Sequence, residues 1–309
     1  MDVMRRTKLV LTVIIVIVLA GAVYFLFNGV PWEDAAAGER ENGGARAALA
    51  GPGGSGAGGG TGTGSGTGAG GGAEAADGSD LWYYDDERAG RYEAYAAKNP
   101  GLSVGDVVWM VNVDLDKEPY EDTREVPDPM SLTLLVNKHF YLPEDFTPPD
   151  LVYIGKTMLR AAAADAINEM IDAAAEEGHK LWVQSGVRSY AIQADLYAKY
   201  SARDGEEAAD TYSARPGHSE HQTGLTADLN TITDAFGETP EGIWTAENCW
   251  KYGLIIRYTT ENTGVTLYKS EPWHVRYIGR EAAAGMRDLG MSAFEEYWVK
   301  YVNYGSQGR

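Results

Sequence analysis

The chain has 309 residues, a formal net charge of −19, five histidines and a single cysteine. The acidic balance excludes binding of nucleic acid or of anionic surfaces by charge attraction, and one cysteine excludes an internal disulfide. The length allows two domains, but a long Gly-rich part of the chain cannot bury a core, so we expect one folded domain.

The N-terminal segment is predicted to anchor the chain in the cell membrane as a single-pass protein. Residues 9–27 are apolar or small with two exceptions, and a helix of that length spans about 28 Å, enough to cross the hydrocarbon core. Basic residues precede this run, which predicts a cytoplasmic N-terminus at 1–8, a signal anchor at 9–29 and an extracytoplasmic remainder. A cleavable signal peptide is the alternative, because residues 19–22 are small, but the apolar run continues beyond them.

A Gly-rich tract follows the predicted anchor, at residues 30–80. Its centre, "GPGGSGAGGGTGTGSGTGAGGG", has no side chains to pack and a high cost of ordering, so we predict a flexible tether. The folded domain is then expected at 81–303, with a short tail at 304–309.

The folded part shows alternating helix and strand patterns. Helices are predicted at 85–99, 157–177, 191–200 and 280–302. Strands are predicted at 106–113, 132–137, 180–189 (a buried strand), 223–231, 252–259 and 271–279. An acidic, proline-containing stretch at 114–130 is taken for an irregular surface segment. Helices around a small, mostly antiparallel sheet make the predicted fold class α+β.

The stretch "SARPGHSEHQTGLTADLNT", residues 213–231, concentrates two of the five histidines with acidic residues. A catalytic zinc needs three protein ligands, an open position for water and a nearby carboxylate. His221, Asp228 and His274 offer the ligands, and Glu271 offers the carboxylate. On spacing alone an alternative without a metal site stands, in which His274 is a hydrogen-bonded core residue and Asp228 caps a strand end.

The remaining histidines and the cysteine are predicted to take no part as ligands or nucleophiles. His218 lies three residues before His221 and is expected to act at most behind the ligands or on the substrate, because three ligands already complete the site. His139 and His179 are predicted on the surface. Cys249 lies among aromatic residues and is predicted to be a packed thiol.

Two of these motifs resemble the signatures of a known family. "SEHQTGLTAD" resembles the S-x-H-x-x-G-x-A-x-D signature, and "EPWH" the E-x-W-H signature, of the VanY-type D-alanyl-D-alanine carboxypeptidases. Between residues 131 and 280, "LLVNKHFYLPEDFTPPDL", "SGVRSYAIQADLY" and "YGLIIRY" also stand in the family's order. Thr226 departs from the signature's Ala; we expect it to fit the strand and to narrow the pocket.

The resemblance implies a fold, a cofactor and residue roles. The implied fold is the zinc peptidase fold shared with Hedgehog-type domains, with the zinc site on the sheet. It implies a Zn²⁺ ion held by His221, Asp228 and His274. It makes Glu271 the catalytic base and Arg188 the group that polarises the scissile carbonyl, and it implies that Ser219 and Gln193 contact the substrate's terminal D-residue.

The implied function is that of a zinc metallopeptidase, not a serine-type enzyme: a D,D-carboxypeptidase that removes the terminal D-Ala from peptidoglycan stem peptides. An L,D-carboxypeptidase or an endopeptidase acting on the same peptides is the alternative. A non-catalytic cell-wall-binding module is a further alternative, which the presence of all three ligands and Glu271 disfavours. A surface-anchored scaffold, in which the tether carries the function, is a third alternative.

Overall fold

The structure is a computed structural model that describes residues 78–304. The predicted anchor and nearly all of the predicted tether lie outside the described residues. Within 78–304, none of the helices combines the length and the apolar character needed to cross a membrane.

The described residues form short helices and strands in mixed order. The α-helices are α1 (Ala89–Lys98), α2 (Val104–Asn112), α3 (Ala161–Glu176), α4 (Tyr190–Asp204), α5 (Glu206–Ala209), α6 (Pro240–Asn248), α7 (Thr263–Thr266), α8 (Arg280–Asp288) and α9 (Phe294–Tyr297). The strands are β1 (Arg124–Glu125), β2 (Phe140–Tyr141), β3 (Leu151–Ile154), β4 (Thr157–Arg160), β5 (Val183–Ser185), β6 (Thr226–Leu229), β7 (Leu254–Tyr258) and β8 (Glu271–Tyr277). A 3₁₀ turn at Glu220–Thr223 precedes β6, and a π-helical turn at Trp298–Asn303 follows α9.

The main sheet has four strands in the order β5-β6-β8-β7, and every neighbouring pair is antiparallel. This confirms the predicted α+β class with a small antiparallel sheet. The central strands β6 and β8 pair with Asp228 opposite His274. All four residues of β6 are buried, so polar side chains there must find partners inside the protein.

Helix α3 begins later than the predicted 157–177. Residues 157–160 are strand β4 instead, which forms a hairpin with β3 in the register Leu151↔Arg160. Gly155 makes the turn between the two strands at φ +59°, a left-handed conformation that favours glycine. The Ala-rich run therefore becomes helical only after the hairpin closes.

The strand predicted at 106–113 is wrong, because this segment lies in helix α2. Ser103 caps the helix: its Oγ accepts a hydrogen bond from the Asp106 N–H over 3.1 Å. Val107 and Val111 are both buried, and residues four apart lie on one face of a helix. Valine-rich composition favours a strand, but the cap and the burial of one helical face decide the outcome.

The strand predicted at 132–137 is also wrong. The segment is a buried connection without strand pairing, and the Leu134 carbonyl accepts a hydrogen bond from Arg276 Nη2 over 2.8 Å. Asn137 closes it, since its side-chain oxygen accepts from the backbone N–H groups of His139 and Phe140. His139 is 1 % exposed, so its predicted surface location is wrong as well.

Three further boundaries differ from prediction. Strand β5 is shorter than 180–189 and only half buried, because it lies at the edge of the sheet. Helix α4 runs beyond 191–200 and begins after Ser189, whose Oγ accepts from Ile192 N–H. The predicted helix at 280–302 is interrupted between α8 and α9, where Gly290 has φ +65°.

Candidate active site

The structure brings three of the predicted site residues together. His221, Asp228 and His274 each offer one ligand atom, and these atoms all lie within 4.8 Å of one another. Asp228 and His274 face each other on adjacent strands, and His221 comes from the 3₁₀ turn that leads into β6. Gly224 ends that turn in the left-handed region, where an added Cβ would lie 3.0 Å from the Arg160 side chain.

The backbone directly after strand β5 orients His221. Its Nδ1 lies 2.7 Å from the carbonyl oxygen of Gly186. A carbonyl only accepts hydrogen bonds, so Nδ1 carries the proton and Nε2 keeps its lone pair. Nε2 lies 3.3 Å from Asp228 Oδ2 and points into the site. This is the arrangement in which a histidine is prepared to bind a metal ion.

His274 presents its other ring nitrogen to the site. Its Nδ1 lies 3.4 Å from Asp228 Oδ1 and 3.4 Å from Glu271 Oε2. Its Nε2 faces away, 3.5 Å from Glu220 Oε2. The Tyr258 ring packs against the imidazole with the ring centroids 4.8 Å apart, which restricts its rotation.

Asp228 has an unsatisfied oxygen at the centre of the group. Within the described residues, its buried Oδ1 has no hydrogen-bond partner. A buried acceptor without a partner is costly, and a bound cation removes that cost. Two histidines and one carboxylate form a donor set typical of catalytic zinc, which keeps a fourth position for water. The residues present therefore fit a zinc ion.

Burial and nearby charges shift the pKa values of Glu271, His221 and His274 in different directions. Burial raises the pKa of Glu271 to about 7. Burial lowers the pKa of His221, and the positive charge of Arg188 lowers it further. For His274, burial also opposes protonation, but Asp228 and Glu220 outweigh it and raise the pKa to about 9. Glu271 is thus poised to take and give a proton near neutral pH.

Glu271 and Arg188 are more exposed to solvent than the three candidate ligands. The Glu271 side chain is 15 % exposed and that of Arg188 20 %, against 5 to 6 % for the ligands. Arg188 Nη2 lies 3.9 Å from Asp228 Oδ2, so the guanidinium lies beside the ligand group. The positions suit a carboxylate that acts on a water molecule and a cation that meets charge on a substrate oxygen.

Gln193 holds Arg188 in place. Its Oε1 accepts a hydrogen bond from Arg188 Nη1 over 2.7 Å, and its Nε2 donates to the carbonyl oxygen of Ala214 over 2.6 Å. Gln193 is 2 % exposed. The structure gives it a positioning contact with Arg188, and its contact with substrate stays a prediction.

Ser219 and Thr226 lie next to the ligands. Ser219 precedes the 3₁₀ turn, and its Oγ accepts from the backbone N–H of His221 over 3.4 Å; its contact with substrate stays a prediction. Thr226 fits strand β6 as expected, but it is fully buried and its hydroxyl donates to Glu220 Oε2. It therefore does not narrow an open pocket, which corrects the expectation from the sequence.

His218 and Cys249 lie apart from the ligand group. His218 Nδ1 lies 2.8 Å from the Asn137 carbonyl oxygen, and its ring packs edge-to-face on Tyr120. It lines a cavity of about 270 Å³ together with Tyr141, Glu144, Tyr190 and others. Cys249 is buried, as predicted for a packed thiol, and burial raises its pKa to about 12.

A buried ion-pair network behind His274 was not predicted from the sequence. It consists of four charged side chains, each without exposed area: Glu220, Arg257, Arg276 and Glu295. One of them carried a sequence signal, because Arg257 stands inside an otherwise apolar strand. Glu220 carried none, since an acidic residue in a polar loop is ordinarily exposed.

Comparisons with known proteins show which family the chain resembles. Residues 156–280 match the family profile VanY, described as D-alanyl-D-alanine carboxypeptidase. The putative carboxypeptidase YodJ of Bacillus subtilis (strain 168) is 38% identical over 201 residues, which cover 60% of this chain and 73% of YodJ. A D-alanyl-D-alanine carboxypeptidase of Enterococcus faecium is 30% identical over 179 residues, which cover 53% of this chain and 56% of that protein.

A solved structure shows the same fold. The LdcB LD-carboxypeptidase, whose structure was described for peptidoglycan recognition, is 38% identical, with a TM-score of 0.55. The match covers 58% of this chain and 91% of LdcB. The chain therefore belongs to the VanY D-alanyl-D-alanine carboxypeptidase family.

Proposed function

We propose that this protein is a zinc-dependent carboxypeptidase that releases the terminal D-Ala from peptidoglycan stem peptides. The observation that carries the proposal is the convergence of His221, Asp228 and His274 next to Glu271. A purely structural role for these residues would leave no reason for a buried carboxylate oxygen without a hydrogen-bond partner among the described residues.

The residues divide the chemistry between them. A bound Zn²⁺ ion supplies Lewis acidity and lowers the pKa of its water to about 7. Glu271 takes the proton from the attacking water and then gives it to the leaving amine, a reversal for which a pKa near 7 is suited. Arg188 donates hydrogen bonds to the carbonyl oxygen as negative charge develops there, and Gln193 fixes the guanidinium for this task.

Two candidate substrates follow from the proposal, a stem pentapeptide and a stem tetrapeptide. The description of the family profile and the name of a relative, both D-alanyl-D-alanine carboxypeptidase, support the first candidate activity, which is cleavage of a pentapeptide that ends in D-Ala-D-Ala. The likeness to the LdcB LD-carboxypeptidase favours the second candidate, an L,D-carboxypeptidase acting on tetrapeptides. We place the D,D-activity first because the family profile bears that description.

The test is hydrolysis of synthetic stem pentapeptide and tetrapeptide by the full-length protein, with Glu271→Ala beside it. Release of D-Ala by the wild type and not by the variant supports the proposal, and the preferred peptide identifies the subclass. If zinc binds and neither peptide is cut, the carboxypeptidase proposal fails, and an endopeptidase or a cell-wall-binding role takes its place.

The cellular location is proposed from the sequence alone. The apolar run at 9–29 and the basic residues before it support a membrane anchor with the catalytic domain outside, attached through the tract at 30–80. Cell fractionation and protease treatment of intact cells test this. Recovery of the full-length chain in the cytosol, protected from protease, would contradict it.

A further inference from the structure

The second ring nitrogen of His274 faces a carboxylate that belongs to the buried network. His274 Nε2 lies 3.5 Å from Glu220 Oε2, while Nδ1 points to Asp228 and Glu271. Since a carboxylate accepts and does not donate, Glu220 can hold a proton on Nε2, and a neutral imidazole that keeps this proton has its lone pair on Nδ1. That is the tautomer in which Nδ1 can bind a metal ion.

The network fixes which oxygen of Glu220 is available to His274. Its Oε1 accepts from Arg257 Nε over 2.9 Å and from Arg276 Nη1 over 2.9 Å. Its Oε2 is thereby left to His274 and to the Thr226 hydroxyl, each at 3.5 Å. The carboxylate cannot rotate without breaking both arginine contacts.

The network is anchored on its far side, away from the ligands. Arg257 makes a two-point contact with Glu295, with Nη2 to Oε1 at 2.6 Å and Nη1 to Oε2 at 3.1 Å. Arg276 Nη2 donates to the Leu134 carbonyl oxygen. Two glutamates and two arginines balance in charge, and all four side chains are fully buried. The Glu295 carboxylate accepts from Arg257 and from the Asn137 amide, and neither of these residues is a metal ligand.

We infer that Glu220 is a positioning residue for the metal centre, which holds His274 in the tautomer and orientation that present Nδ1 to the ion. The inference rests on the proposed metal site. A merely structural network is the alternative, in which Glu220 and Glu295 serve equally as counter-ions for the arginines.

A matched pair of variants separates the two roles. Glu220→Gln and Glu295→Gln each remove one negative charge from the same network, but only the first replaces the group that faces His274. Zinc affinity of the full-length protein is measured by competition with a chromophoric chelator, and the stability of the metal-free chain by thermal unfolding. We expect Glu220→Gln to bind zinc about 10- to 100-fold more weakly. Glu295→Gln should stay within about 3-fold of the wild type, because no ligand is touched.

A charge-conserving pair covers failure to fold, since breaking a buried ion pair is strongly destabilising. Glu220→Asp and Glu295→Asp keep all four charges and shorten one side chain by a methylene, which withdraws Oε2 from His274 only in the first. A zinc affinity that falls in Glu220→Asp and holds in Glu295→Asp supports the inference. Equal affinity in both variants of a pair, at equal or unequal stability, overturns it. A wild-type protein that binds no zinc would instead contradict the metal site itself.

Discussion

Glu271 Oε2 and His274 Nδ1 lie 3.4 Å apart at the start of strand β8, so the carboxylate faces the same ring nitrogen that faces Asp228. Only Pro272 and Trp273 separate the two residues, so one strand supplies both the candidate base and a candidate ligand. A carboxylate in this place can take a proton from a water molecule at the metal centre without being one of the three ligands.

Substitution of Glu271 should separate catalysis from metal binding. Glu271→Gln keeps the size of the side chain but removes its ability to take a proton, so we expect kcat to fall by about 10²- to 10⁴-fold. Zinc content, measured by atomic absorption, should stay at the wild-type value. His274→Ala should lose both activity and zinc. A Glu271→Gln variant that turns over at the wild-type rate would contradict the role of base.

Arg188 is expected to act in the transition state. Its replacement in Arg188→Lys removes the planar fork that Gln193 holds and leaves a single point charge. We expect kcat to fall by about 10²- to 10³-fold, the loss typical of one oxyanion donor. Arg203→Lys is the matched control, because Arg203 is 60 % exposed and pairs with Asp204 on the surface. Steady-state kinetics that show equal loss in both variants would argue against a specific role for Arg188.

Asp114 should contribute stability that depends on pH. Burial alone would raise its pKa, but the hydrogen bond from Arg91 and the charges of Arg124 and Lys117 outweigh burial and lower it. A lowered pKa gives stability that is present above the unfolded-state value of about 3.9 and lost as the pH falls. Asp114→Asn should therefore lower the free energy of unfolding at pH 7 by about 1–3 kcal/mol. The loss is not larger because the arginine partners are partly exposed to solvent.

Urea unfolding at pH 7 and at pH 3 checks this prediction. The difference in unfolding free energy between the wild type and Asp114→Asn should shrink at pH 3. Asp122→Asn is the control: both positions have positive φ, 65° and 47°, which asparagine tolerates, but the Asp122 side chain is 85 % exposed. Its cost should stay within about 0.5 kcal/mol at both pH values. A difference for Asp114→Asn that grows on acidification would mean that the folded protein raises the pKa of this carboxyl instead of lowering it.

Thiol reagents should leave the activity unchanged. Cys249 is the single cysteine, it is buried, and burial raises its pKa to about 12, so almost none of it is thiolate at neutral pH. Incubation of the native protein with iodoacetamide, followed by mass spectrometry and an activity assay, should show neither modification nor loss. Rapid alkylation with inactivation would indicate a nucleophilic cysteine instead.

The candidate ligands could be named from the sequence because their motifs resemble those of a known family, whereas residue types and spacing alone left a structural role open. His221, Asp228, Glu271 and His274 lie in short polar motifs whose residue types match a zinc peptidase. Their convergence follows from the antiparallel pairing of β6 with β8, which places Asp228 opposite His274 and which was not predicted from the sequence. The α+β class could be predicted from the order of helix and strand patterns along the chain.

Features that depend on tertiary context could not be predicted. Valine-rich α2 has the composition of a strand, and only the cap at Ser103 and its packing make it a helix. Glu220 is acidic and sits in a polar loop, so its complete burial depends on arginines 37 and 56 residues further along the chain. Pairings over such separations leave no periodic trace in a single sequence.

The release of free D-Ala from stem pentapeptide by the full-length protein, before and after removal of zinc with a chelator, tests zinc-dependent catalysis most directly. We expect release to stop when the zinc content falls to zero and to return when Zn²⁺ is added. Undiminished release of D-Ala by protein shown to hold no metal would contradict the proposal that zinc is the catalytic ion.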